Sequence, residues 1–236
     1  MHMTGTIINI IAILVGSGIG LLFGSRIPEK FKSTIVAGMG LFTVSMGMQM
    51  FFNSENQLIV LGALIAGTII GEWLGIEDRL QEVGLKLEKR FSSDGDTGAG
   101  SRFVRGFMVS SLLFCIGPMA ILGSIQDGLS GDYNLLVVKS TLDGFASIAF
   151  ASTLGIGVAF SSMIVLFYQG GISLLAGALS AIISDPMMSE MTATGGVILV
   201  GLGISNLLEI KKIRVGNFLP ALVVAPLIVW VISSFQ

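Results

Sequence analysis

One cysteine, one histidine and almost no charge inside the long apolar runs exclude most soluble chemistries for this chain. With Cys115 alone there is no disulfide framework and no thiol metal cluster. His2, at the start of the chain, has no catalytic partner in the sequence. No Ser/His/Asp set, HExxH or P-loop is present, and Gly16-Ser17-Gly18-Ile19-Gly20 lacks the strand–turn–helix setting of a dinucleotide fingerprint. The chain is therefore read as a non-enzyme without cofactor. Charged residues make up 12% of it, against about 25% in an average soluble domain. Nothing in the pattern suits a nucleic acid.

What is present is apolar length: hydrophobic residues are 53% of the chain. A bilayer-spanning helix needs about 20 such residues. Eight segments qualify: Thr4–Gly24, Ser33–Phe52, Gln57–Ile76, Phe103–Ile125, Asn134–Gly155, Val158–Ile183, Met191–Leu208 and Val215–Phe235. The first has no basic leader or small-residue cleavage site and reads as a retained span. The expected fold is an all-α polytopic membrane protein, a single transmembrane domain over residues 1–236.

The basic residues give its orientation. Arg26, Lys30 and Lys32 follow the first span; Arg79, Lys86, Lys89 and Arg90 lie between the third and fourth, with Arg102 and Arg105 at the mouth of the fourth; Lys211, Lys212 and Arg214 precede the eighth. The alternate connections carry only acids: Glu55, Asp127, Asp132, Asp185 and Glu190. Basic residues stay on the cytoplasmic side, so both termini are expected outside. Asp185-Pro186 reads as an external turn, and Glu72 and Glu209 as solvated helix ends. Between the third and fourth spans, Ile76, Leu80, Val83, Leu87 and Phe91 recur at helical spacing, predicting an amphipathic cytoplasmic helix on the membrane or on the protein. Ser92–Ser101 reads as a linker.

The second and seventh spans align: Ser33, Ala37, Gly40, Val44 and Gly47 with Ser189, Ala193, Gly196, Val200 and Gly203. The third and eighth match more loosely (Leu61, Ala63, Leu64 with Leu219, Ala221, Leu222), and the first and sixth only in character. The basic connection follows the first span of one triplet and the second span of the other, as opposite orientations require. Residues 4–76 and 158–235 are thus expected to be inverted repeats around a central pair, residues 102–155, a plan found in secondary transporters. Shared membrane composition is the competing account of the matches.

Lys139 is the one basic residue inside a span. Asp143 lies one turn on and Ser147 one turn further, so the three share a face. An ionised group at depth costs at least ~3 kcal/mol on insertion scales. Asp143 then reads as a proton- or cation-linked carboxylate, with Lys139 as its partner or an anion ligand. Alternatively Lys139 snorkels to the outer headgroups and Asp143 is a structural hub. Gly117-Pro118 either breaks the fourth span and frees carbonyls for an ion, or kinks it for packing. Ser110, Ser111 and Ser124 stand near that break, with Cys115 more a packing residue than a ligand. Asn9, Gln49, Thr68, Gln169, Ser205 and Asn206 suit interhelical hydrogen bonds, and alignment of Gln49 with Ser205 and Met50 with Asn206 suggests a paired polar level. The ladders Gly16/Gly20/Gly24 and Gly67/Gly71/Gly75 predict close helix pairing, within the chain or in a homodimer.

The segments TGTIINIIAILVGSGIGLLFGSRIP, FCIGPMAILGS and KSTLDGFASIAFASTLG together resemble the bacterial YqgA/YdfK membrane-protein family over essentially the whole chain. The resemblance implies a multi-pass protein of the bacterial cytoplasmic membrane and brings no substrate or site residue with it. On the residues themselves, a small secondary transporter for a solute or ion is expected. The candidate site holds Lys139, Asp143, Ser147, Ser110, Ser111, Cys115, Gly117, Pro118, Gln49 and Asn206. A passive channel and a non-transporting scaffold or sensor are the alternatives.

Overall fold

The computed structural model describes residues 2–24, 26–91 and 101–234, and every element in them is helical. The long helices are α1 (Thr4–Gly24), α2 (Glu29–Phe51) and α3 (Gln57–Leu74), then the amphipathic α4 (Ile76–Phe91). They are followed by α5 (Arg102–Cys115), α6 (Pro118–Ser130), α7 (Asn134–Leu154), α8 (Gly157–Leu174), short α9 (Ala176–Ser180), α10 (Asp185–Leu202) and α11 (Ala221–Ser233). Among the described residues, seven single helices are long and apolar enough to cross a bilayer, and α5 with α6 makes an eighth candidate, bent by 62°. Most of the expected linker (residues 92–100) and Phe235 lie outside the described residues.

Local chemistry explains the boundaries. Asn56 caps α3 by accepting from the Leu58 amide, and Gly75 ends the helix in the left-handed conformation. Glu77 and Asp78 open α4 and Lys89 and Arg90 close it, the arrangement that the helix dipole favours. Proline is tolerated at the first position of a helix and disruptive inside one; accordingly the fourth span stops at Cys115 and restarts at Pro118. Asp185-Pro186 is not an external turn: the pair forms the first turn of α10, with Pro186 at the permissive end.

The chain divides into two compact units, each assembled from distant segments. The first holds Met1–Gly38, Gln81–Cys115 and Met119–Ala181. There the Gly16/Gly20/Gly24 ladder lies against the backbone of α7. A Cβ on these glycines would come within 2.3 Å of Gly144 O, 2.3 Å of Ile148 O and 2.7 Å of Ser152 O. At one end of α7, Phe103 and Gly106 of α5 meet Gly157 and Leu154. At the other, Gly123 and Gly128 of α6 meet Leu136 and Ser173, and Asp127 accepts from the Gly5 amide. Leu136 and Leu154 are about 27 Å apart along α7 at 1.5 Å per residue. The bent pair therefore runs the full length of its neighbour, as a broken span does and a re-entrant loop does not.

α4 packs on this unit by part of the stripe that its periodicity suggests, Leu87 and Phe91, together with residues outside it. Val83 and Phe91 are exposed, while Gly84 sits against Val104 and Phe107. Leu85 and Leu87 join the Phe103/Val104/Phe107/Met108 cluster, and Phe91 reaches the Phe160 ring at 5.0 Å. Glu88 is buried rather than solvated.

The second unit holds Met39–Leu80, Ile116–Pro118 and Ile182–Gln236. α3 and α11 pack through Ala63, Ala221 and Ala225, with a Cβ on Gly67 only 2.4 Å from Ala221 N and one on Gly71 only 1.9 Å from Asn217 O. α2 and α10 meet in two places. A Cβ on Gly47 would meet Gly196 O at 2.4 Å and Val200 at 2.9 Å; one on Gly203 would meet Gly40 O at 3.0 Å and Val44 at 2.7 Å. Gly16, Gly20, Gly24, Gly67 and Gly71 thus all pack within the chain, whereas Gly75 is the left-handed cap of α3. Glu190 is buried and accepts from Ser54 Oγ and the Glu55 and Asn56 amides, each at 2.8 Å. Arg214 binds Glu72 at 2.9 Å and also Asp78, so Glu72 is paired rather than free.

Candidate functional site

The polar centre of the first unit is built from three helices. Lys139 and Asp143 stand one turn apart on α7 and form an ion pair whose side chains are 8% and 11% exposed. Lys139 therefore turns inward to the carboxylate and does not snorkel outward. From α1, Asn9 Nδ2 donates to Asp143 Oδ2 at 3.0 Å and to Gln169 Oε1 of α8 at 3.2 Å. Asn9 and Gln169 are fully buried. Asp143 is the ninth position after Asn134 in a helix ending at Leu154, which places it near the middle of the span.

The chemistry of the carboxylate orients both amides. An ionised carboxylate only accepts, so Asn9 must present its NH2, and Gln169 must meet that NH2 with its carbonyl. Asn9 Oδ1 and Gln169 Nε2 are then left over, buried and without a hydrogen-bond partner among the described residues. The hydroxyls of Thr6, Ser17, Ser110, Ser111, Ser147 and Ser173, all in this unit, are in the same position. Buried polar atoms are normally satisfied. Helical serines usually bond back to their own carbonyls, as Ser124 does to Ala120 O at 2.6 Å and Ser140 to Leu136 O at 2.6 Å. Ser124 is thereby committed to its own helix, whereas Ser110, Ser111 and Ser147 keep free donors.

Of the residues singled out in the sequence, Lys139, Asp143, Ser147, Ser110, Ser111 and Cys115 fall in this unit and are buried. Gly117, Pro118, Gln49 and Asn206 belong to the second unit. There Gln49 is exposed, and Asn206 is half-buried in a π turn, Gly203–Leu207. Ser205 clamps that turn, accepting from Ile213 N at 2.9 Å and donating to Ile213 O at 3.1 Å. Ser205 is thereby committed to Ile213, and Gln49 faces outward.

Asn9 and Gln169 are legible in the sequence only as generic interhelical donors, because their meeting with Asp143 and with each other spans separations of 134 and 160 residues. Asp127 belongs by sequence to an acidic external connection. In the fold it is fully buried, with Oδ2 on the Gly5 amide and Oδ1 without a partner among the described residues.

The polarity of the molecule is inverted relative to a soluble fold. Leu22, Leu58, Phe167 and Trp73 are 74%, 75%, 73% and 84% exposed, while the ion pair and its amides are enclosed. Such a surface suits hydrocarbon, and the enclosed polar groups suit helices that satisfy one another within it. The fold and the centre together define a multi-pass helical membrane protein with an intramembrane ionisable site.

The chain belongs to the family described as "Protein of unknown function (DUF554)", which matches residues 4–230. It is 33% identical over 237 residues to "Uncharacterized membrane protein YdfK" of Bacillus subtilis (strain 168), covering 99% of this chain and 98% of that one. It is 29% identical over 221 residues to "Uncharacterized protein YqgA" of Escherichia coli (strain K12), covering 94% of each. No solved structure matches the chain.

Proposed function

We propose that this protein is a small secondary transporter that moves a small solute or ion across the bacterial cytoplasmic membrane by alternating access. The observation that carries the reading is the buried Lys139–Asp143 pair at mid-span, joined by Asn9 and Gln169, whose remaining polar atoms no described residue satisfies. An ion pair in hydrocarbon is costly to maintain, and packing alone would be served as well by apolar side chains. The broken fourth span supports the same reading, since interrupted helices line solute sites in transporters.

The inverted repeat has support from contacts in the second unit. Under the alignment of the second and seventh spans, Gly47 corresponds to Gly203, Gly196 to Gly40, and Val200 to Val44. The contacts of Gly47 with Gly196 and Val200 then become those of Gly203 with Gly40 and Val44, and both sets are present. A local two-fold relation requires that reciprocity, and antiparallel packing of α2 on α10 also gives it. With the basic connections inside, both termini lie outside.

Reconstituted vesicles test the proposal. Asp143→Asn is expected to abolish coupled solute flux while the protein still elutes as a single species and unfolds cooperatively in detergent, at a lower temperature. Undiminished flux by that variant would remove Asp143 from the mechanism, and unitary currents would identify a channel instead.

A further inference from the structure

We infer that the Lys139–Asp143 centre binds a small monovalent anion together with one proton, so that its net charge is zero both empty and loaded. The inference rests on the same site as the transporter reading and names its substrate class. Charge balance selects the guest. α1 contributes no titratable side chain to the first unit's interior, α8 contributes Tyr168, α5 contributes Cys115, and α6 contributes Asp127, whose Oδ2 accepts from the Gly5 amide at the Leu136 end of α7. The formal charges in direct contact at the centre, among the described residues, are therefore the Lys139 ammonium and the Asp143 carboxylate, each the other's counter-ion. Neutrality at that depth permits few loading schemes. A cation alone would give a net positive centre beside Lys139, and an anion alone a net negative one beside Asp143.

When Asp143 takes a proton, its negative charge is lost and Lys139 needs another partner. A monoanion supplies it: the proton passes to an Asp143 carboxylate oxygen, and the ammonium exchanges that oxygen for the anion. The remaining groups suit this guest. Lys139, Gln169 Nε2 and the Ser147 hydroxyl one turn on from Asp143 are donors, the last two without an acceptor among the described residues, and Asn9 Oδ1 is left to accept from a protonated Asp143. An anion accepts hydrogen bonds from all of these donor types. Near-complete burial of the pair and both amides favours the smallest monoanions, in the class of halide, nitrate, formate and acetate.

The Asp143→Asn variant is a fixed mimic of the protonated carboxyl, and its stability should report the anion directly. Purified full-length protein is heated in sodium gluconate and in matched sodium chloride, nitrate, formate and acetate. For D143N at a hundredfold excess over Kd, Tm should rise by about 5 to 10 °C in at least one small monoanion relative to gluconate. The K139M/D143N double variant should show no such rise. Indifference of D143N to all four anions, or an unchanged rise in the double variant, would overturn the inference. Should D143N fail to fold, wild-type protein decides. One proton taken up per anion bound in weakly buffered solution supports the inference, and anion binding without proton uptake, or no binding of any of the four, defeats it. Anion-linked proton uptake without vesicle flux would refute the transporter reading alone. Flux of a neutral or cationic solute without proton movement would refute this inference alone.

Discussion

Removing one member of the Lys139–Asp143 pair should cost far more than removing both. The side chains are 8% and 11% exposed, lie one turn apart on a single helix, and have no other charged partner at the centre among the described residues. Breaking a buried pair leaves an uncompensated charge and costs about 3–5 kcal/mol, whereas replacing both partners by neutral groups of similar size is often neutral or stabilising. Lys139→Met and Asp143→Asn should therefore each destabilise by about 3–5 kcal/mol, while K139M/D143N stays within about 1 kcal/mol of wild type. For a chain of this length each kcal/mol moves Tm by about 2–4 °C, so the single variants should melt about 6–20 °C lower. The amide that replaces the Asp143 carboxylate still offers an oxygen to Asn9, so the loss isolates charge from hydrogen bonding. The cycle is run by thermal unfolding in detergent with gluconate as the only anion, which removes any rescue by a small guest. Additive losses, with the double variant as unstable as the two singles combined, would refute the claim that these residues neutralise each other.

Other expectations follow from the packing. Gly71→Ala places a methyl 1.9 Å from Asn217 O and should lower Tm by several degrees, through an overpacking cost of about 1–3 kcal/mol, while Gly18→Ala, which meets nothing within 4 Å, should leave it unchanged. Glu190→Ala strips acceptors from Ser54, Glu55 and Asn56 and should cost about 2–4 kcal/mol. Glu190→Gln keeps the oxygen for both amides and should recover most of that loss in the same melting assay. Cysteines placed at Lys30 and Lys211 should react with a membrane-impermeant maleimide from one side of the bilayer, and one placed at Glu55 from the other; labelling of positions 30 and 211 from opposite sides would refute the eight-span topology.

The class of protein and its spans are legible in the chain alone, because long apolar runs have few places to go but a bilayer. Proline behind glycine marks the fourth span for a kink or a break through local sterics, and the fold makes it a break. Lys139 and Asp143 stand out as well, because a charge in an apolar run is visible without any fold. Their surroundings are a matter of packing. Asn9 and Gln169 are ordinary amides on the page, and they become part of the centre only because glycines on α1 bring its backbone against α7 and α8 packs beside it. Periodicity likewise misjudges part of α4, Gln49 and the two loop acids Asp127 and Glu190. Hydrophobic spacing assumes that apolar residues face the interior, whereas in a bilayer the solvent is itself apolar and the interior is chosen by close backbone approach and polar satisfaction.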